Sequence, residues 1–281
     1  MADIKLFVSC HKQVTVPKHP LLVPIHVGAA ISERPISGIL RDDTGDNIST
    51  KNPFYCELTA QYWAWKNMQA DYYGFFHYRR YLYPDLNAKR PYRICPTPTN
   101  NLLQKLGYDC FPQLIEQYDL ILPMGERIYM TVRDQFAAGT RHRVETLQWM
   151  ESVVRDISPD YSSALEWYLS GETCYFCNMF VMSAQVFDAY CEWLFPLLAE
   201  YDRRTAGNAI QDDRIDGYLA ERLLGVFYCQ HRGSLKTVEI PRVDYDAIMG
   251  EPNSKRRLLY ELLPPGTRRR ALFKQLMVRE G

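Results

Sequence analysis

The stretch "DYYGFFHYRRYLYPD", residues 71–85, decides how the rest of the chain is read. Its apolar run, Tyr72 to Phe76, has the length and composition of a buried strand. The run stops at His77, Tyr78, Arg79 and Arg80. Two guanidiniums at the mouth of a core strand cost free energy unless something negative meets them. A strand that carries cations off its C-terminal end suits an open α/β sheet, where ligands bind beyond the carboxyl ends of the strands.

Working outward, the same alternation of strand and helix recurs. "IKLFVS" (4–9) is a first strand and "LLVPIHVG" (21–28) a second extended segment. "RDDTGDNIS" (41–49) is turn-rich. Asn52-Pro53 predicts a helix start, with Asn as cap, and a helix over 54–70 carrying Leu58, Tyr62 and Trp65 on one face. After the opening strand, 84–101 holds four prolines and predicts a long loop. "YDLILP" (118–123) is a strand, and 132–154 two helical patches broken near Gly139. A helix over 158–169 has Ser158 as candidate cap, "CYFCNMFVM" (174–182) is a strand, and a helix over 183–198 is capped by Ser183 and is interrupted or ends near Pro196. A long helix over 211–228 and a last strand over 235–243 complete the progression. The expectation is α/β: a mixed sheet flanked by helices, one domain over 1–250, and a basic amphipathic tail over 251–281.

Bulk properties narrow the function. The chain has 281 residues, 47% of them apolar and 23% charged, which is globular material with a sizeable core. Lys+Arg and Asp+Glu both number 33, so the basic excess expected of a nucleic-acid binder is missing. Aromatics reach 13%, with 20 Tyr, which suits ring stacking on sugars or bases as well as ordinary packing. The N-terminus lacks the basic and apolar regions of a signal peptide, and no run approaches the roughly 18 apolar residues of a spanning helix. The eight cysteines are therefore expected as reduced cytosolic thiols, with Cys174 and Cys177 in the core rather than in a zinc or redox site. Residues 255–281 carry eight Lys/Arg against two Glu, interleaved with Leu and Phe. Such a segment either covers the core, or lies on an anionic membrane surface or binds a partner.

Several groups carry candidate chemistry. Arg79 and Arg80 suit bidentate phosphate recognition, with His77 and Tyr78 beside them; ion pairing with local carboxylates is the alternative. Cys10, His11 and Lys12 end the first strand and share its topological position. Asp46 and Asn47 either hydrogen-bond a nucleoside or form a plain turn. Asp212, Asp213 and Arg214 stand at a helix start, where carboxylates suit the dipole or act as a general base. Glu221 shares a helix face with Asp213. Asn178 is a polar residue in an apolar run, and His142 sits in a basic stretch after a glycine break. No P-loop, GxGxxG, HExxH or GxSxG motif occurs, which disfavours P-loop enzymes, Rossmann dehydrogenases, zinc proteases and serine hydrolases.

Four blocks taken in order are specific: "TGDNISTKNPFYCELTAQYWAWKN" (44–67), "DYYGFFHYRRYL" (71–82), "CNMFVMSAQVFDAYCEWLFPLL" (177–198) and "RIDGYLAERLLGVFY" (214–228). Together they resemble a bacterial family of capsule and O-antigen glycosyltransferases, formerly a domain of unknown function, some of whose members are galactofuranosyltransferases. The likeness covers roughly residues 4–245. It implies a GT-A-like fold, a UDP-sugar donor, a glycan or lipid-linked glycan acceptor, and transfer with inversion. Enzymes of this fold hold a metal on the donor diphosphate with a DxD motif, and here HYRRYL stands in that place. The resemblance therefore implies a donor site of Cys10, His11, Lys12, Asp46, Asn47, His77, Tyr78, Arg79 and Arg80 without a required cofactor. Asp42-Asp43 and Asp212-Asp213 are fallback metal ligands. It further implies Asp212, Asp213, Arg214 and Glu221 as catalytic candidates, and His142 and Asn178 on the acceptor side. Glu145 stands where the family pattern has Asp. A nucleotide-sugar or phosphate-ester hydrolase and a non-catalytic nucleotide- or carbohydrate-binding module are the alternatives.

Overall fold

The computed structural model describes residues 2–95, 99–139, 143–207, 213–245, 258, 262–264 and 267–279. The strands are β1 (Ile4–Cys10), β2 (Leu22–His26), β3 (Leu40–Arg41), β4 (Tyr72–His77), β5 (Arg80–Leu82), β6 (Tyr92–Cys95), β7 (Leu120–Pro123), β8 (Glu126–Arg127), β9 (Thr173–Cys174), β10 (Phe180–Ser183), β11 (Thr237–Ile240) and β12 (Arg242–Tyr245). The helices are α1 (Asn52–Tyr55), α2 (Leu58–Asn67), α3 (Asn100–Lys105), α4 (Phe111–Ile115), α5 (Val132–Ala137), α6 (Val144–Ile157), α7 (Ser162–Ser170), α8 (Ala184–Thr205) and α9 (Ile215–His231), with one more over Arg268–Arg279.

One mixed sheet runs β11-β7-β10-β4-β1-β2-β3, and β5, β6 and β12 attach beside β4. β1 is parallel to β2 and β4, while β10 is antiparallel to β4 and β7. The apolar runs of β1 and β4 are continuous because both faces are covered. Phe7, Phe75, Phe180 and Met182 point to a core under α2 and α6–α9. Leu6, Val8, Phe76 and Val181 point to a second core under α3, α4 and the 13–22 segment. Gly74 is required at the centre of β4: a Cβ there would meet Leu6 Cδ2 at 2.4 Å.

The local departures from expectation cluster. The helix expected over 54–70 breaks at Cys56, whose φ is +52°. Asn52 is its first helical residue rather than its cap, and its amide donates to Cys56 O at 2.7 Å. The strand expected over 174–182 is two short strands around a turn in which Cys177 and Asn178 have φ of +84° and +48°. The long helix starts at Ile215, after Arg214 with φ +68°. Among the described residues, these are four of the five non-glycine positions with positive φ. A non-glycine left-handed residue gives no sequence signal, because its strain is held by tertiary contacts.

Other corrections have simpler causes. Pro196 lies inside α8, which continues to Thr205, since neighbouring helices bury that stretch and offset the lost backbone bond. Neither Ser158 nor Ser183 caps its helix through a side-chain hydrogen bond; residues Pro159–Tyr161 form a 3-10 turn before α7. The proline-rich loop contains β6, and Pro241 divides the last strand into β11 and β12. His142 and Asp212 lie outside the described residues.

Candidate functional site

Parallel pairing of β1 with β4 sets Ser9 opposite His77, so Cys10, His11 and the HYRR segment share one edge of the sheet. β10 runs the other way and pairs Phe180 with Phe75, which brings Cys177 and Asn178 to that same edge. His77 pairs with Arg80, so Tyr78 and Arg79 form the tip of a tight hairpin. The chain therefore turns back at the strand end and holds its cations against the sheet mouth.

The mouth is rich in cations. His11 and His77 rings lie 6.4 Å apart, and Tyr78 is edge-on to His11 at 5.3 Å. Lys12 and Arg79 sit over the Tyr78 ring at 5.8 and 5.2 Å. Arg79 has no carboxylate partner among the described residues, and its Nε is buried without a hydrogen bond. Arg214 lies close enough to lower the pKa of both histidines. Burial first, then Arg80 and Arg79, push His77 well below the usual histidine range. His77 is thus a neutral imidazole at neutral pH, not the cation its neighbours suggest. The Arg79 N–H donates to His77 Nδ1 at 3.4 Å, which leaves the proton on Nε2 as a donor for an anion.

Arg80 turns inward, with Nε 3.8 Å from Asp244. Asp244 also accepts from Arg242 Nε at 2.9 Å, and Arg242 Nη2 donates to Glu126 at 2.8 Å. The wall of the mouth is therefore a buried ionic cluster. Beside β1 a cavity of about 700 Å³ opens past Cys10, Lys12, Val14, Lys18, His19 and Ile36. Its lining contains two lysines and no carboxylate. Burial pushes the Cys10 thiol up to about 12, so it lines this space as a neutral group.

Opposite the cations stands a second arrangement. Asn178 Nδ2 donates to Glu57 Oε1 at 2.9 Å and to the Gly217 carbonyl at 2.9 Å. A Cβ on Gly217 would come 3.2 Å from Cys56 Sγ, so glycine there lets α9 approach the break between α1 and α2. Glu57 is partly open to solvent yet heavily enclosed by protein, as expected on a cleft wall. Burial first, and the Glu221 charge further down, raise its pKa; the Asn178 hydrogen bond and Arg214 oppose this. Glu57 was not among the residues singled out by sequence, and nothing in "PFYCELT" marks it.

The remaining candidates fall elsewhere or are engaged. Glu221 accepts from the Cys177 N–H at 2.8 Å and from Arg222 Nη1 at 2.9 Å, so both its oxygens are occupied. Asp213 is exposed at the start of the segment leading into α9. Asp46 accepts from Tyr62 and takes its backbone contacts from Asn67, at the C-terminal end of α2 remote from Glu57. Asn47 bonds Gly45 O and the Ser49 N–H. Asp42 accepts from Gly28 N, Ala29 N and Ser49 Oγ, and Asp43 pairs with Arg41. Those groups tie the turn to the β2–β3 edge, which leaves Asp42 and Asp43 poor metal ligands. Glu145 lies in the first turn of α6.

Comparison with known proteins agrees with this architecture. Residues 5–232 match the family described as "Domain of unknown function (DUF4422)". The chain belongs to that family. A solved structure described as the WbbM bifunctional glycosyltransferase in its apo form is similar, with a TM-score of 0.81 and 32% identity. The match covers 87% of this chain and 46% of that one, so the chain spans about half of its length. No curated protein matches in sequence. The GT-A-like α/β fold expected from sequence is the observed one.

Proposed function

We propose that this member of the DUF4422 family transfers a sugar from a nucleoside-diphosphate donor to a glycan acceptor. The observation that carries the reading is the set of cations at the β1–β4 mouth. Lys12, Arg79 and Arg214 converge there beside the neutral rings of His11 and His77, and Arg79 faces no carboxylate among the described residues. A diphosphate supplies the missing negative charge, and the acid-free cavity beside Cys10 and Lys12 accommodates the nucleoside. Arg79, with Arg214 and the Nε2–H of His77, would stabilise charge on the departing diphosphate. Arg80 links this clamp to the buried ionic wall and holds the hairpin in place. The similarity to a bifunctional glycosyltransferase supports glycosyl transfer as the chemistry. A UDP-sugar, galactofuranose among the sugars, and a lipid-linked glycan at the inner membrane face extend the same proposal. The exposed Arg268, Arg269 and Leu272 of the C-terminal helix support that membrane contact. No helix among the described residues is long and apolar enough to cross a membrane.

Calorimetric titration of UDP in EDTA, and then with Mn²⁺, tests the clamp. Wild type should bind in EDTA, and Arg79→Ala/Arg80→Ala should bind about 100-fold more weakly or worse, since each charged hydrogen bond contributes roughly 1.5–3 kcal/mol. Binding that appears only with Mn²⁺ would overturn the metal-free clamp. Binding without turnover of any UDP-sugar would favour the non-catalytic module, and turnover without an acceptor the hydrolase.

A further inference from the structure

We infer that Glu57 is the general base that takes the proton from the acceptor hydroxyl. This deepens the glycosyl-transfer proposal and rests on it. Among the carboxylates around the mouth, Glu57 alone combines a fixed orientation with an unengaged oxygen. Oε1 is held by Asn178 at 2.9 Å, while Oε2 takes no hydrogen bond from another described residue and the residue keeps accessible surface. The competitors are occupied or closed off from solvent. Glu221 is held by Cys177 and Arg222, Asp244 and Glu126 by Arg242, and Asp216 is buried beside Tyr55 and Asp202.

The surrounding geometry looks built for one carboxylate. Three strained backbone positions, Cys56, Cys177 and Asn178, converge on it, and Asn178 sits two bonds deep between Glu57 and α9. Strain of this kind collects at functional sites, where tertiary contacts hold it. Arg214 faces both Glu57 and the histidines of the clamp, so the space between them has a base on one side and cations on the other. In the transfer, the acceptor O–H bond breaks and its proton goes to Glu57 Oε2. The oxygen lone pair forms the new bond to the anomeric carbon, and the bond to the diphosphate breaks with its electron pair on the departing phosphate oxygen. The charged and titratable groups facing Glu57 are Arg214 and Glu221 of the α9 segment and the adjacent Cys56 thiol, which is itself raised by burial to about 12. A carboxyl raised by burial is better matched to proton transfer near neutral pH.

Glu57→Gln keeps an oxygen for Asn178 and removes the base. The assay is UDP release from UDP-galactose, UDP-glucose and UDP-galactofuranose, each with octyl β-galactoside as acceptor, alongside UDP titration of both proteins. The expected result is a fall in kcat of at least about 100-fold, with the UDP Kd within a factor of about three and the acid limb of the wild-type pH profile abolished. An active Glu57→Gln enzyme that keeps that acid limb would overturn the role of Glu57 and leave glycosyl transfer standing. Loss of UDP binding together with kcat would make Glu57 structural and overturn the inference as well. A wild type that binds UDP yet releases none from any donor would take down the transfer reading and this role with it.

Discussion

Arg79 and Arg242 stand on neighbouring segments, since β5 pairs with β12 and the Tyr245 N–H donates to Arg79 O at 2.8 Å, yet they live in opposite electrostatic worlds. Arg242 is buried with Glu126 and Asp244 on it and lies over the Tyr92 ring at 4.4 Å. Arg79 is half-buried at the hairpin tip, with no carboxylate on it among the described residues and an unpartnered Nε. The first arrangement is closed, and its charges are spent on the fold. The second meets no carboxylate among the described residues, and we assign its charge to a bound diphosphate. The contrast separates two kinds of arginine that look identical in sequence.

Breaking the closed arrangement should have the largest effect. Arg242→Ala removes the cation that Glu126 and Asp244 share, leaves Asp244 its longer contact to Arg80, and should cost about 3–5 kcal/mol, read as a drop in the urea midpoint. A third carboxylate sharpens the point, because it has burial without a cation of its own. Burial first, and Asp202 second, raise Asp216 to about 8. The folded protein therefore holds a proton that the unfolded chain releases above its ordinary pKa of about 4. Stability should fall as pH rises from about 4 to about 8, by a few kcal/mol, and Asp216→Asn should flatten that slope in urea melts at pH 5 and 9. An unchanged slope in the variant would show that another group carries it. Smallest of all, Arg79→Ala should shift stability by no more than about 0.5 kcal/mol while weakening UDP binding at least about 10-fold. A large stability loss there would erase the distinction between the two arginines.

Much of the fold was legible. The runs 4–9, 72–76 and 118–123 are strands because continuous apolar residues need cover on both faces, and the sheet provides it. The break near Gly139 and the helices on both sides of it also follow from local pattern. The mouth was half legible. HYRR after an apolar strand announces misplaced charge, but not that Arg80 would turn toward Asp244 while Arg79 met no carboxylate among the described residues. The GDNIS turn reads equally as a ligand loop or a plain turn, and in the fold Asp46 accepts from the Tyr62 hydroxyl and Asn47 from the Ser49 N–H. Turn residues serve either purpose, and composition does not separate them.

The sequence by itself determined the α/β alternation, the strand ends that carry polar groups, and the likeness to a family, because these rest on local periodicity and on blocks of contiguous residues. Only the tertiary structure decided which polar groups meet. Glu57 and Asn178 are 121 positions apart, and their contact depends on left-handed turns at Cys56, Cys177 and Asn178 that no residue type there announces. Such conformations are unfavourable locally and persist because α9, β4 and β10 close around them, so the information that fixes them is spread over the whole packed chain.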